Sequence, residues 1–111
     1  MNSIQWLFFA SPEGLGMAQE ATLQGKILRD LDSKGKHCLA FKIQKANING
    51  VPDIFFVTRR SGPVFLETKA VKGVVSPIQK ERHDELMSCG CRVFVCNSWK
   101  CWVNIKGLFN I

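Results

Sequence analysis

Residues 51–70 read VPDIFFVTRRSGPVFLETKA, and this stretch decides the fold. Two apolar runs, Asp53–Val57 and Val64–Leu66, flank Arg59-Arg60-Ser61-Gly62-Pro63. β-Branched and aromatic residues bounded by Gly, Ser and Pro predict two strands joined as a hairpin. The polar residues gather at its open end. Asp53 follows Pro52 at the mouth of the first run, and Glu67 and Lys69 close the second. Side chains alternate along a strand, so Glu67 and Lys69 share one face and Thr68 takes the other. Pairing across the turn brings Asp53 toward Glu67, so two carboxylates and a lysine meet at one end of an apolar hairpin.

Such a group is costly by itself, because neighbouring carboxylates repel and burial favours their neutral forms. A hard divalent cation such as Mg²⁺ or Mn²⁺ reverses both effects and is commonly held by one or two carboxylates. Glu-x-Lys alone is a short pattern that a weak surface ion pair explains equally well. Gly50-Val51-Pro52-Asp53, upstream at hairpin distance, tips the reading toward a metal site.

Working outward, 111 residues suit one domain, and 46% hydrophobic with 22% charged residues is ordinary for a soluble globular chain. The net charge of +6 suits a polyanionic partner without identifying one. No apolar run approaches the ~20 residues that span a bilayer. The start, MNSIQWLFFASPEG, has no basic region before its short apolar stretch and makes a poor signal peptide. Five cysteines, an odd number without a secretory signal, predict reduced thiols in a cytoplasm. A zinc site from His83, Cys89, Cys91 and Cys96 would need Cys-x-Cys, which is not the usual knuckle spacing, so small buried thiols are expected instead.

Residues 1–16 read as an apolar arm and residues 17–111 as the domain, with Met17 placed where a start could stand. Met17–Lys34 predicts a helix with Leu23, Ile27, Leu28 and Leu31 on one face and Gly35 as its stop. His37–Gln44 alternates, which predicts a half-buried strand with Leu39, Phe41 and Ile43 facing inward. Residues 45–50 form a loop. Ser76 as N-cap and Pro77 at the first helical position open a second helix that ends at Gly90. Arg92–Cys96 is a strand, and residues 98–111 fit a helix or a strand equally. The fold class expected is a mixed α/β sheet flanked by helices.

This order, with these residues in these places, resembles the VRR-NUC family, the virus-type replication-repair nucleases of the PD-(D/E)xK superfamily. The resemblance rests on Glu20-x-x-Leu-Gln24, Gly50-Val51-Pro52-Asp53, Glu67-Thr68-Lys69 and Ser76-Pro77-Ile78-Gln79 with His83, and covers about Ala18 to Asn97. It implies the restriction-endonuclease-like fold. It also implies that Asp53, Glu67 and the Thr68 backbone carbonyl bind Mg²⁺ or Mn²⁺, with Glu20 contributing directly or through water. Lys69 would activate or orient the attacking water, and Gln79 would position Lys69, water or substrate. Lys42, Lys45, Lys72, Lys80 and Arg82 are the candidate DNA contacts, although a solvated face explains any one of them.

The expected function is metal-dependent hydrolysis of DNA, favouring branched DNA in the manner of Holliday-junction resolvases, with no small-molecule cofactor and no membrane. Small stand-alone members imply a homodimer, and the family suggests a bacterial or phage-infected cell. The succession Trp6-Leu7-Phe8-Phe9 adds a physical reason, because no regular geometry points all four side chains one way. The arm is therefore expected in or beside a two-fold interface, the alternative being an arm folded onto its own domain. Two other functions stay open: a nuclease of the same fold acting on flap, single-stranded or duplex DNA, and a non-catalytic DNA-binding module.

Overall fold

The computed structural model describes residues 8–9 and 17–111. The elements are β1 (Phe8–Phe9), α1 (Met17–Asp32), β2 (Cys38–Lys42), β3 (Ile54–Thr58), β4 (Gly62–Thr68), α2 (Pro77–Ser88), β5 (Arg92–Cys96) and α3 (Trp99–Gly107). Helix α1 ends two residues short of expectation and passes into a short 3₁₀ turn at Gly35–His37. The described strands form one sheet of order β1-β5-β4-β3-β2.

The hairpin forms as its sequence requires. β3 and β4 pair antiparallel with Phe55 opposite Phe65 and Ile54 opposite Leu66. Thr58 and Ser61 lock the turn: the Ser61 N–H donates to Thr58 Oγ1 and the Thr58 N–H to Ser61 Oγ, both at 3.0 Å. Gly62 leaves the turn at φ +63°, a conformation that favours glycine. Helix α2 then carries the chain over to β5, which lies parallel to β4.

Alternation places the helices on opposite faces. Thr68 touches Gln24 of α1, whereas its neighbour Glu67 touches His83 of α2. The main core lies between the sheet and the pair α1 and α3. Leu23, Ile27 and Leu31 meet Ile54, Phe56, Leu66, Phe94 and Trp102 there. Phe56 stands edge-on to Trp102 at 5.7 Å between centroids. Each such buried side chain contributes about 1.5–3 kcal/mol.

One expectation changes, and one left open is decided. In β2 the phase is reversed: Cys38 and Ala40 pack against the core, while Leu39 is 60% and Phe41 47% exposed. The large side chains join the opposite sheet face, where Phe41 meets Phe55 at a tilt, 5.0 Å between centroids, and Phe55 meets Phe65 edge-on at 5.1 Å. The small ones fit beneath α1. The tail resolves as a helix, α3, whose N-cap Ser98 accepts a bond from the Cys101 N–H. Of the arm, Phe8–Phe9 pair parallel with Val95–Cys96 of this chain's own sheet. That is the alternative to covering a second subunit, and the other arm residues lie outside those described.

Candidate active site

The polar residues converge at the end of the sheet where β4 stops. Asp53, one residue before β3, has its Oδ2 held by the Thr68 N–H at 2.9 Å and the Thr68 hydroxyl at 2.8 Å. That hydroxyl in turn accepts from Gln24 Nε2 at 2.7 Å. A buried relay, Gln24 to Thr68 to Asp53, thus fixes the carboxylate from the α1 side.

On the α2 side Glu67 is buried, with His83 Nε2 3.3 Å from Oε1. Burial first, then the Asp53 charge and a hydrogen bond with Asp53, push the Glu67 carboxyl up to about 9; Lys69 opposes the shift. Burial likewise pushes His83 down to about 4. Desolvation outweighs attraction in both partners, so near neutral pH the contact is a neutral hydrogen bond rather than an ion pair. Glu20, in the first turns of α1, is half-buried and accepts from the Ala70 N–H. Its carboxyl is raised by burial and by Asp53, with Lys69 opposing. Glu20, Asp53, Glu67 and Lys69 therefore share one electrostatic neighbourhood.

The start of α2 is tied to the loop before Asp53. Ser76 and Gln79 form a reciprocal capping box: Ser76 Oγ accepts from the Gln79 N–H at 3.2 Å and Gln79 Oε1 from the Ser76 N–H at 2.9 Å. Gln79 thus spends its side-chain oxygen on the helix cap, a task the family role does not include. The Ser-x-x-Gln spacing signals this box in the sequence. Gly50, at φ +83°, lets the loop approach α2 so closely that a Cβ would stand 2.6 Å from the Ile78 carbonyl oxygen. Arg82 donates through Nε to the Asn49 carbonyl at 2.9 Å and pairs with Glu85. Its guanidinium is committed to the fold, unlike the exposed Lys42, Lys45, Lys72 and Lys80.

The residues sequence reasoning left without a role are Gln24 and His83, which hold the two carboxylates. The cysteines differ from expectation, with only Cys96 and Cys101 buried and Cys89 exposed. His83 lies against Glu67, Cys89 caps the end of α2 and Cys96 closes β5. Among the described residues no three His, Cys, Asp or Glu side chains are grouped to hold a metal ion. Glu20 is coupled electrostatically to Asp53 and Lys69 across the same end of the sheet. Asp53 and Glu67 remain a hard-oxygen pair suited to Mg²⁺ or Mn²⁺. Burial first, and then the Asp53 charge, raise Glu67, and both are effects that a bound cation would offset.

The mixed sheet with helices on both faces, with Asp53 just before β3 and Glu67-x-Lys69 at the end of β4, is an α/β fold consistent with PD-(D/E)xK nucleases. Within it the chain belongs to the VRR-NUC domain family, which matches residues 14–100. A solved VRR_NUC domain aligns with a TM-score of 0.66 at 24% identity, over 83% of this chain and 95% of that one. A search of curated proteins found no match. Family membership implies a nuclease-type function in DNA processing. No helix among the described residues is long and apolar enough to cross a membrane.

Proposed function

We propose that the protein is a Mg²⁺- or Mn²⁺-dependent DNA endonuclease that acts on branched DNA as a homodimer. The observation that carries the reading is the convergence of Asp53, Glu67 and Lys69 at one sheet end, with both carboxylates held by buried partners. A bound cation supplies Lewis acidity toward the phosphate and water activation near neutral pH. Asp53 and Glu67 would hold it, with the Thr68 carbonyl beside them. Lys69, whose charge already acts on Glu20 and Glu67, would balance the phosphate and orient the attacking water. Glu20 would contribute directly or through water. Gln79 keeps its amide NH₂ for substrate or water while its oxygen caps α2. Lys42, Lys45, Lys72 and Lys80 would meet the DNA backbone.

The apolar stripe supports a dimer. β2 lies at the sheet edge with Leu39 and Phe41 exposed, and Phe41 continues the aromatic row through Phe55 and Phe65. Covering such a patch with a second copy places two sites in two-fold relation, which suits paired cuts at a junction. The five free cysteines suit a reducing compartment such as the cytoplasm. The test is a panel of four-way junctions, flaps, duplex and single strands with Mg²⁺ or Mn²⁺, alongside light scattering of the protein. Preferential junction cleavage by a dimer supports the reading. A monomer at micromolar concentration sinks the dimer, and equal cutting of all substrates sinks the branched preference.

A further inference from the structure

The loop from β2 to β3 is pinned on both sides of its tip. The Ile43 N–H donates to the Asp53 carbonyl at 2.7 Å, Arg82 holds the Asn49 carbonyl, and Gly50 lies against the Ile78 carbonyl. Within the loop a hollow of about 330 Å³ opens onto Asp53, with Ile48 and Lys45 in its wall. Ile48 is the one large apolar residue of positions 44–50, and it is 48% exposed. The segment after Lys69 is also tightly turned. The Gly73 N–H donates to the Ala70 carbonyl at 2.8 Å, and a Cβ on Gly73 would stand 3.2 Å from the Lys69 Cβ. Val74, next in the chain, is 79% exposed. Ile78, whose backbone meets Gly50, is 40% exposed.

A single exposed aliphatic side chain needs no explanation. Here three such side chains stand on three separate segments, and each segment is anchored beside Asp53 or Lys69. Each also has an exposed lysine within three residues: Lys45 by Ile48, Lys72 by Val74 and Lys80 by Ile78. The rim of the carboxylate site therefore mixes cations with branched apolar groups. The cations suit a phosphate backbone. The apolar groups suit the face of a base, and Ile is among the residues that wedge between base steps. An intact duplex hides those faces in its stack and offers only base edges and phosphates. Faces become available where stacking is interrupted, as at a branch. A wedge must also resist the stack that it opens, which the pinned loop allows.

We propose that Ile48, with Val74 and Ile78, forms an apolar wedge that holds an unstacked base at a DNA branch beside the scissile phosphate. The flanking lysines take the phosphates on either side. The inference rests on the nuclease reading of the adjoining site and adds to it the feature by which a branch is told from a duplex.

The test compares a four-way junction carrying 2-aminopurine at the branch with a duplex of the same sequence, titrated with the full chain in EDTA. This base brightens when it leaves the stack. Wild type is expected to brighten the junction and to bind it more tightly than the duplex. Ile48→Ala should lose the brightening and weaken junction affinity about tenfold, and Val74→Ala about fivefold, with duplex affinity unchanged. Ile48→Met, still apolar and adaptable, should restore both. Leu108→Ala, exposed near the opposite end of the sheet, should change neither. All these side chains are exposed, so the variants keep their cores. No brightening by wild type, wild-type behaviour in both alanine variants at the rim, equal weakening for junction and duplex, or equal weakening by Leu108→Ala overturns the wedge. Metal-dependent cleavage is measured separately. Ile48-dependent brightening without any cleavage overturns the nuclease reading and upholds the wedge, and cleavage without such brightening does the reverse.

Discussion

Thr68→Val isolates the relay that fixes Asp53. Valine has nearly the shape of threonine, so the change deletes one hydroxyl from a fully buried position. It removes the bond to Asp53 Oδ2 at 2.8 Å and the acceptor of Gln24 Nε2 at 2.7 Å. A bond to a charged group contributes about 1.5–3 kcal/mol, a neutral one about 0.5–1.5, and a stranded buried donor costs about 1–3. These overlap, and the Thr68 N–H still holds Asp53 at 2.9 Å. A net loss of about 2–4 kcal/mol is expected, read from urea denaturation followed by tryptophan fluorescence. Because that N–H survives, cleavage should fall roughly tenfold to a hundredfold rather than vanish, as for other groups that orient a ligand. Thr68→Ser should restore both. A valine variant as stable and active as the wild type, with serine no better, would refute the relay.

Three further outcomes follow from other contacts. Gly50→Ala forces a positive φ on a residue with a Cβ and drives that Cβ to 2.6 Å from the Ile78 oxygen, so thermal stability should drop by about 2 kcal/mol or more; an unchanged melting temperature refutes the close approach. Burial alone would raise the Asp30 carboxyl, but bonds from Lys106 and Trp102 outweigh it and hold it below its ordinary 3.8. Its contribution is complete above that value and lost as pH falls through the folded one, so Asp30→Asn should be less stable than wild type by about 1–3 kcal/mol at neutral pH, the gap closing in acid; a pH-independent gap measured by denaturation contradicts this. Finally, Glu67 stays protonated up to about 9 without a cation, so Mg²⁺ binding near neutral pH should release a proton and tighten as pH rises; calorimetry in two buffers of different ionisation enthalpy, giving identical heats, would contradict it.

The hairpin was legible because its turn residues and apolar runs agree, and α2 because Ser76 and Pro77 mark its start. The convergence of Asp53 with Glu67 followed from pairing alone. Strand period could not say which face of β2 is covered. Leu39, Phe41 and Ile43 alternate, but Cys38 and Ala40 are the small side chains that fit under α1. Helix α3 hid behind aromatic residues that suit a strand equally, although Ser98 is a good cap. Gln24 and His83 were visible as letters, but their roles depend on contacts 44 and 16 residues away in sequence, which no local pattern reports.

The central claim is that Asp53, Glu67 and Lys69 form one hydrolytic site. Single-turnover cleavage of labelled branched DNA in Mg²⁺ or Mn²⁺, by wild type and by Asp53→Ala, Glu67→Ala and Lys69→Ala, tests it most directly, with DNA binding measured in parallel. The account expects cleavage by the wild type alone, binding by all four proteins, and metal binding largely kept in Lys69→Ala. Near wild-type cleavage by the three variants, or cleavage by the wild type undiminished in EDTA, would contradict it.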